Sequence, residues 1–547
     1  MRFDLEHDWQ GNMATPRKNL GEKTKLQLFL ILTVIWIFTG LTGHELWQSI
    51  ESDSISQILY VIQQNEFIAP LAASSFSLTT PPLYSFVAAG FAKIFAFILP
   101  LHDGARLSNS LWISITLISI GLATRELWGI GYGRQAGLLF IASIGLIMNI
   151  HGLIPGIATL SGLSLCFYSF TLYYRRPFRS SILMGSGLGI SFLSGGLIPL
   201  ISIVITSVIL YIFRFWRNSR YLTFVGLSIG IAIVIISPWM IAMNYLHPQL
   251  LNNWLNQQIL ISNPSFLYQL SGISWFTWPS LPLVIFTLFK GYKSIFKQRK
   301  LLLPLVFIIV YFVVISYSHK QDQMSLMPFL IPFCIMSVGS IDTLRRGSAS
   351  ALNLFGILIF GFIGILIWLG WLAMQTGVPD KIFERMFFLS ANFNASFEII
   401  PFIICLIFTS YWGLSIFKHR ITNRTAISNW AIGITMIWLC LVMLWGPFID
   451  NRKSHKAIFN EVKQHLIQST SCVYLHNLSA KQINLLHYYT GVRGDHNFTN
   501  QSCYLALISL REDSEFPSEY KEWEEVWTGK RLRDKNYFVL VRKDTLN

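Results

Sequence analysis

Four carboxylates, Glu45, Glu51, Asp53 and Glu66, fall within residues 43–82, a stretch that contains no Lys or Arg and lies between two apolar runs. Carboxylates at a lipid–water boundary can take a proton from a nucleophile or hold a divalent metal. The plainer reading is a short, solvated interfacial helix over 52–64, with Asp53 as its N-cap or a first-turn acid favoured by the helix dipole. Arg106, close behind His102 and Asp103, has the planar fork that clamps a phosphate; the alternatives are a snorkelling anchor or an ion pair between helices. His151 has no ionisable neighbour in sequence and reads as a packed polar residue. His247 and Trp254 lie in a second stretch without Lys or Arg, 246–273, where Trp alone would serve as an interfacial anchor. His319, Lys320 and Asp322 mark a further boundary; Lys320 is either a phosphate contact or an exposed loop charge.

The elements that must hold these groups are apolar. The chain has 547 residues, 53% hydrophobic and 13% charged, with mean hydropathy +0.50. Soluble domains carry roughly 25% charged residues. Apolar runs from 26–42 to 428–446 give fourteen candidate membrane helices, counting 180–213 as two broken near Gly195–Gly196. The run 26–42 is too long for a signal-peptide core and reads as a retained signal anchor. The net charge of +15 does not point to nucleic acid, because the basic residues cluster in short loops: 213–220, 290–300, 344–347 and 417–424. That is the positive-inside pattern. It puts these loops and the N-terminal tail, 1–25, in the cytoplasm, and 43–82, 246–273 and the tail after 446 on the other side. An odd number of crossings follows, so about thirteen spans are expected, with one false candidate in 83–213.

Residues 447–547 are charged and of mixed periodicity. Strands are expected at 472–478, 504–510 and 537–543, with an amphipathic helix at 479–490. The predicted fold class is therefore an all-α polytopic membrane domain, 26–446, followed by a small C-terminal α/β domain. Cys166, Cys334, Cys405 and Cys440 lie in apolar runs and read as packing residues. Cys472 and Cys503 lie in the tail, where an oxidising compartment permits a disulfide, geometrically possible if their strands are parallel.

Ordered motifs suggest a family. WQSIE (47–51), NEFIAP (65–70) and TTPPLY (79–84), after a first span and a long acidic loop, resemble the GT-C membrane glycosyltransferases, in their protein-mannosyltransferase-like and aminoarabinose-transferase-like branches. Those carry Trp-x-x-Asp-Glu, Gly-Asp-Trp followed by Pro, and Glu-Lys-Pro-Pro-Leu-Tyr. LHDGARL (101–107), SWFTWPSLPL (274–283), LRRGSASALNLFG (344–356), IWLGWLAMQTGVP (367–379) and EEVWTGKR (524–531) are similar to a bacterial branch, so the resemblance spans nearly the whole chain. The departures are chemical. The family's catalytic Asp falls on Ile50, its partner is kept as Glu51, and the Glu-Lys pair falls on Thr79 and Thr80. No carboxylate stands in HGLIPG (151–156), where the family has a later acid.

The resemblance implies a sugar transferred from a polyprenyl-phosphate donor to a lipid or protein acceptor on the periplasmic side of a bacterial inner membrane. It makes Glu51 and Asp53 the catalytic candidates, since Asp53 shares a helical face with position 50. Thr79, Thr80, Tyr84, Arg106, His247, His319 and Lys320 become substrate-binding candidates. The absence of a G-x-x-x-x-G-K-[ST] motif fits a lipid-borne donor rather than a nucleotide. The cofactor is left open, a divalent metal included. The rival reading is a non-catalytic relative that keeps the lipid cavity as a binding or assembly subunit. A transporter fits less well, because neither an internal repeat nor a buried acidic pair is visible.

Overall fold

The computed structural model describes residues 21–47, 49–75, 77–147, 149–264, 266–318, 323–390, 393, 395–418, 422–466, 473–495, 503–531 and 534–543. Helices α1 (Glu22–Phe38), α2 (Ser49–Gln64), α3 (Leu83–Phe95), α4 (Leu101–Arg106) and α5 (Ser108–Trp128) open the chain. Leu107 joins α4 to α5 without a break in direction large enough to end the span, so Leu101–Trp128 forms one apolar element of 28 residues.

Among the described residues seven helices are long and apolar enough to cross a membrane, and an eighth if Phe266–Phe276 and Ser280–Lys297, bent by 104°, count as one broken span. Leu83–Phe95, Gly156–Leu172 and Leu197–Ile212 are apolar but shorter. The sequence expects about thirteen spans; these long helices and the three shorter apolar ones are the elements that carry that apolar length among the described residues. The chain is a multi-pass membrane protein in which Met324–Ile341 is central, 83% buried, while Ser219–Leu246, Gly347–Thr376 and Ile399–Ile416 present most of their apolar surface outward. The break expected near Gly195–Gly196 separates Pro177–Gly195 from Leu197–Ile212. Gly196 makes it with φ +84°, a backbone state that costs a Cβ-bearing residue free energy.

The basic segments meet at one end of the bundle. The Arg299 guanidinium lies 4.3 Å over the Tyr174 ring and 5.3 Å over Phe215. Lys290 donates to the Thr343 carbonyl, and Arg424 pairs with Asp342 at 2.7 Å. The first loop and the tail gather at the other end.

The tail forms one sheet of order β2-β1-β3-β5-β4 from β1 (Val473–His476), β2 (Gly494–Asp495), β3 (Leu505–Arg511), β4 (Glu524–Lys530) and β5 (Asn536–Arg542). β1 runs parallel to β2 and β3; β5 is antiparallel to β3 and β4. The three expected strands are β1, β3 and β5. β4 was hidden by its composition: as a half-exposed edge strand it reads EEVWTGK, without an apolar run. The tail helix, Ala480–Thr490, starts at a reciprocal Ser479–Gln482 capping box, which satisfies two otherwise unpaired amides.

The tail shares a core with the first loop. Ile55, Ile58 and Val61 of α2 pack with Ala88, Ala92 and Ala105 of α3 and α4, and with Phe459, Leu485 and Leu486 of the tail. Each buried Ile contributes roughly 1.5–3 kcal/mol, so α2 is fixed by apolar contact on both sides.

Candidate functional site

The site grows from the amphipathic pattern of α2. Its apolar positions turn to the shared core, which leaves Glu51, Asp53 and Gln57 to face α4, the tail helix and the 79–85 segment. Ser49 and Ile50 lie in the first turn of α2.

Arg106 is the centre of the arrangement. It is 0% exposed, and its guanidinium makes five hydrogen bonds within the protein. Nε and Nη2 donate to Glu51 Oε1 at 3.1 and 3.0 Å, Nη1 donates to the His44 carbonyl at 2.6 Å and to Asp103 Oδ1 at 3.2 Å, and Nη2 donates to the Glu45 carbonyl at 2.9 Å. An arginine has five N–H donors, so in this structure none is left over for a phosphate. Glu51, 1% exposed, also accepts from the backbone N–H groups of Trp47 and Leu153 at 3.1 and 3.2 Å. Gly152 allows that approach: a Cβ on it would stand 3.2 Å from Glu51 Oε1. The chemistry of this cluster is anchoring. It ties the start of the first loop, α2, α4 and the 151–153 turn to one buried ion pair.

The remaining acids bind the tail. Glu45 accepts from Lys456 Nζ at 2.7 Å and from the Tyr489 hydroxyl at 2.8 Å. Burial opposes ionisation of Glu45, but the Lys456 bond, the charge of His102 and the Tyr489 bond outweigh it, and its pKa falls below the ordinary glutamate value. Asp450 Oδ1 accepts from the Glu45 backbone N–H at 2.9 Å and Trp47 Nε1 at 2.5 Å. Lys481 Nζ donates to the Trp47 carbonyl at 3.2 Å, and His102 Nδ1 stands 2.8 Å from the Tyr488 hydroxyl.

Asp53 is placed differently. It is half-buried, and its Oδ1 accepts from Asn484 Nδ2 at 2.6 Å. Asn484 is oriented in turn by the Ser74 backbone N–H on its Oδ1, 2.9 Å away. Burial raises the Asp53 pKa above the ordinary aspartate value, against the pull of the Asn484 and Ser52 bonds. A carboxylate with a raised pKa, positioned by a neutral amide, is a stronger proton acceptor than a free aspartate.

Thr79 and Thr80 meet α2 through Gln57: Gln57 Nε2 donates to Thr79 Oγ1 at 2.7 Å, and Thr80 Oγ1 donates to Gln57 Oε1 at 3.3 Å. Tyr84 is buried at the start of α3 and donates to Asn109 Oδ1 at 3.0 Å. Glu66 accepts from the Ile68 and Ala69 backbone N–H groups, which makes it a turn-former. His247 is the C-cap of Ser219–Leu246 and stands apart from the carboxylates. Its neighbour Trp254 closes an apolar cluster with Ala69, Leu78 and Trp239, and Trp239 Nε1 donates to the Ile68 carbonyl at 2.9 Å. The 246–273 segment therefore packs on the first loop. His151 is buried, its Nε2 2.8 Å from the Trp36 carbonyl and its ring stacked 4.8 Å from Trp438, as its isolation in the sequence suggested.

His319, Lys320 and Asp322 lie outside the described residues, as does Cys472. Cys503 is disulfide-bonded, and Cys166, Cys334, Cys405 and Cys440 are free. Among the described residues no group of three or more His, Cys, Asp or Glu side chains is placed to hold a metal ion.

The resemblance places the tail domain beside the site, but the sequence reading singled out none of its helix residues. Lys481, Asn484 and Tyr488 recur at helical spacing and touch Trp47, Asp53 and His102. That one-sided polar stripe on an amphipathic helix was the available signal.

No family model matches the sequence, and no curated protein sequence matches it. Solved structures do. ArnT from Cupriavidus metallidurans bound to undecaprenyl phosphate superposes with TM-score 0.70 at 15% identity, over 96% of this chain and 99% of that one. The same protein in the apo state gives 0.67 at 14%, over 95% and 98%. The Archaeoglobus fulgidus oligosaccharyltransferase in the apo form gives 0.42 at 9%, over 86% of this chain and 64% of that one. With 96% of its length matched, the chain has the GT-C-type fold of ArnT.

Proposed function

We propose that this protein is a membrane glycosyltransferase that moves a sugar from a polyprenyl-phosphate carrier to a lipid or protein acceptor on the periplasmic side of a bacterial inner membrane, with the C-terminal domain on that side. The observation that carries the reading is the full-length likeness to ArnT captured with undecaprenyl phosphate.

In the proposed step an acceptor hydroxyl or amine attacks the sugar C1. The C1–O bond to the carrier breaks, polyprenyl phosphate leaves with the electron pair, and the acceptor's proton passes to Asp53. Asn484 holds that carboxylate from the tail, so the tail helix is part of the site. Glu51 and Arg106 act by fixing the loop on which Asp53 stands, and Tyr84 braces α3 against α5 through Asn109. Thr79, Thr80, His247, His319 and Lys320 are the proposed contacts to donor or acceptor.

One observation favours the rival reading of a non-catalytic lipid-binding subunit: Glu51 and Arg106, two of the groups the family resemblance assigns to chemistry, are consumed in a buried ion pair. The deciding experiment is incubation of the purified protein with a polyprenyl-phosphate pentose or hexose and a membrane lipid extract, with mass spectrometry of both lipid pools. Transfer of the sugar, with release of free polyprenyl phosphate, supports the enzyme. Retention of the donor without turnover supports the subunit.

A further inference from the structure

At the basic end of the bundle, away from the first loop, three helix ends and the loop that carries Trp216 line a cavity of about 260 Å³. Its polar wall is Gln298, Arg299 and Lys300, the N-terminus of the 19-residue helix Arg299–Tyr317. Its apolar wall is Leu127, Phe170 and Leu303. A helix N-terminus carries a partial positive charge and favours an anion, yet this one begins with two cations, and no described side chain caps it. Three sources of positive potential therefore converge on one space.

The cations are held in place by aromatic rings. Arg299 lies over Tyr174 and Phe215, and Lys300 Nζ stands 4.4 Å from the Trp128 ring centroid. Rings attract a cation electrostatically through their faces, so both charges are fixed beside the cavity. Among the described residues Glu126 is the one carboxylate in the wall, and both its oxygens already accept from Arg175, at 3.2 and 3.1 Å. Trp216, another wall residue, is 1% exposed, and its Nε1 has no hydrogen-bond partner. A buried N–H without an acceptor costs free energy, and an anion in the cavity would supply one.

We propose that this cavity binds the phosphate of an anionic membrane phospholipid, with the headgroup against Arg299, Lys300 and the helix N-terminus and the first acyl carbons against Leu127, Phe170 and Leu303. The paired polar and apolar walls fit an amphiphile rather than a free ion. Basic pockets between membrane helices are a recurring site for anionic headgroups.

The test is native mass spectrometry of the full chain, delipidated in detergent and then titrated with phosphatidylglycerol, with phosphatidylcholine, and with phosphatidylglycerol in the presence of millimolar inorganic phosphate. Wild-type protein should retain phosphatidylglycerol over phosphatidylcholine, and free phosphate should not displace it. R299Q/K300Q should lower that retention on the order of tenfold, the scale of losing a charge-assisted bond. K293Q/K297Q, which removes two exposed cations from the adjacent turn, should leave it unchanged. If R299Q/K300Q does not fold, Thr171→Trp, which fills the cavity from the opposite wall, should abolish retention. Equal binding of the two lipids, equal loss in both double variants, or unchanged retention in Thr171→Trp would overturn the proposal; displacement by phosphate would assign the site to the free ion instead.

Discussion

Arg106→Gln separates an anchoring arginine from a phosphate-binding one. In the structure the guanidinium serves Glu51, Asp103 and two backbone carbonyls while fully buried. Glutamine can replace at most two of the five bonds and none of the charge. Glu51, at 1% exposure, would lose its guanidinium partner while the Trp47 and Leu153 amides still donate to it. Breaking one side of a buried ion pair costs about 3–5 kcal/mol, which is roughly two to four powers of ten in the equilibrium between the docked and released loop. The double variant R106Q/E51Q should cost less than the sum of its single changes, because no unpaired charge stays buried. The assay is the fraction of monodisperse protein after a temperature ramp in detergent, with bound polyprenyl phosphate quantified in the surviving fraction. Arg106→Gln should lower the midpoint clearly, and R106Q/E51Q should recover part of the loss. A wild-type thermal profile together with lost lipid would refute the anchoring argument and return Arg106 to the phosphate.

Further expectations follow from the same contacts. In protein with measured turnover, Asp53→Asn should cut the rate on the order of 10²-fold, with no change in thermal midpoint comparable to that of Arg106→Gln. A silent Asp53→Asn would move the base elsewhere, with His247 and His319 next. Because burial raises the Asp53 pKa, turnover should fall as pH drops through that raised value, above the usual aspartate range, and this acid limb should be absent in Asp53→Asn. Glu45 has the opposite sign. Its folded pKa is lowered, so its contribution to tail docking is complete above the unfolded glutamate value and is lost as pH falls through the folded one. Amide exchange in Ala480–Thr490 should be faster in Glu45→Gln than in wild type at neutral pH, and the two should converge on acidification; identical exchange at neutral pH contradicts this. Mapping under non-reducing conditions should find Cys472 and Cys503 bridged and the four membrane cysteines reduced. Cys503→Ser should then destabilise the tail by roughly 3–4 kcal/mol, the chain-entropy scale for a loop of about 30 residues, measured by limited proteolysis. A reporter fused after residue 450 should be active outside the cytoplasm and one within 290–300 inside it; the reverse result would invert the proposed topology.

Composition alone determined that this chain lives in a membrane, since so little charge over so many apolar runs has no other stable setting. Charge placement separated its two ends: the loops rich in Lys and Arg meet through Arg299, Lys290 and Arg424, and the stretches without them pack together through Trp254, Ala69 and Leu78. Period and turn residues gave the break at Gly196, the interfacial helix and three of the five tail strands, because those features are local. Which helices pack centrally and which face outward was not local: Met324–Ile341 is 83% buried and Ile399–Ile416 11%, though both are apolar runs of 18 residues. Nor could the sequence assign roles to its carboxylates. Glu51 and Asp53 are two residues apart and chemically alike, yet one faces Arg106 across 55 positions of chain and is spent on an ion pair, while the other faces Asn484 across 431 and keeps a raised pKa. A carboxylate's function is set by what burial and folding place against it, and those partners come from α4 and a tail helix that no local pattern ties to the first loop.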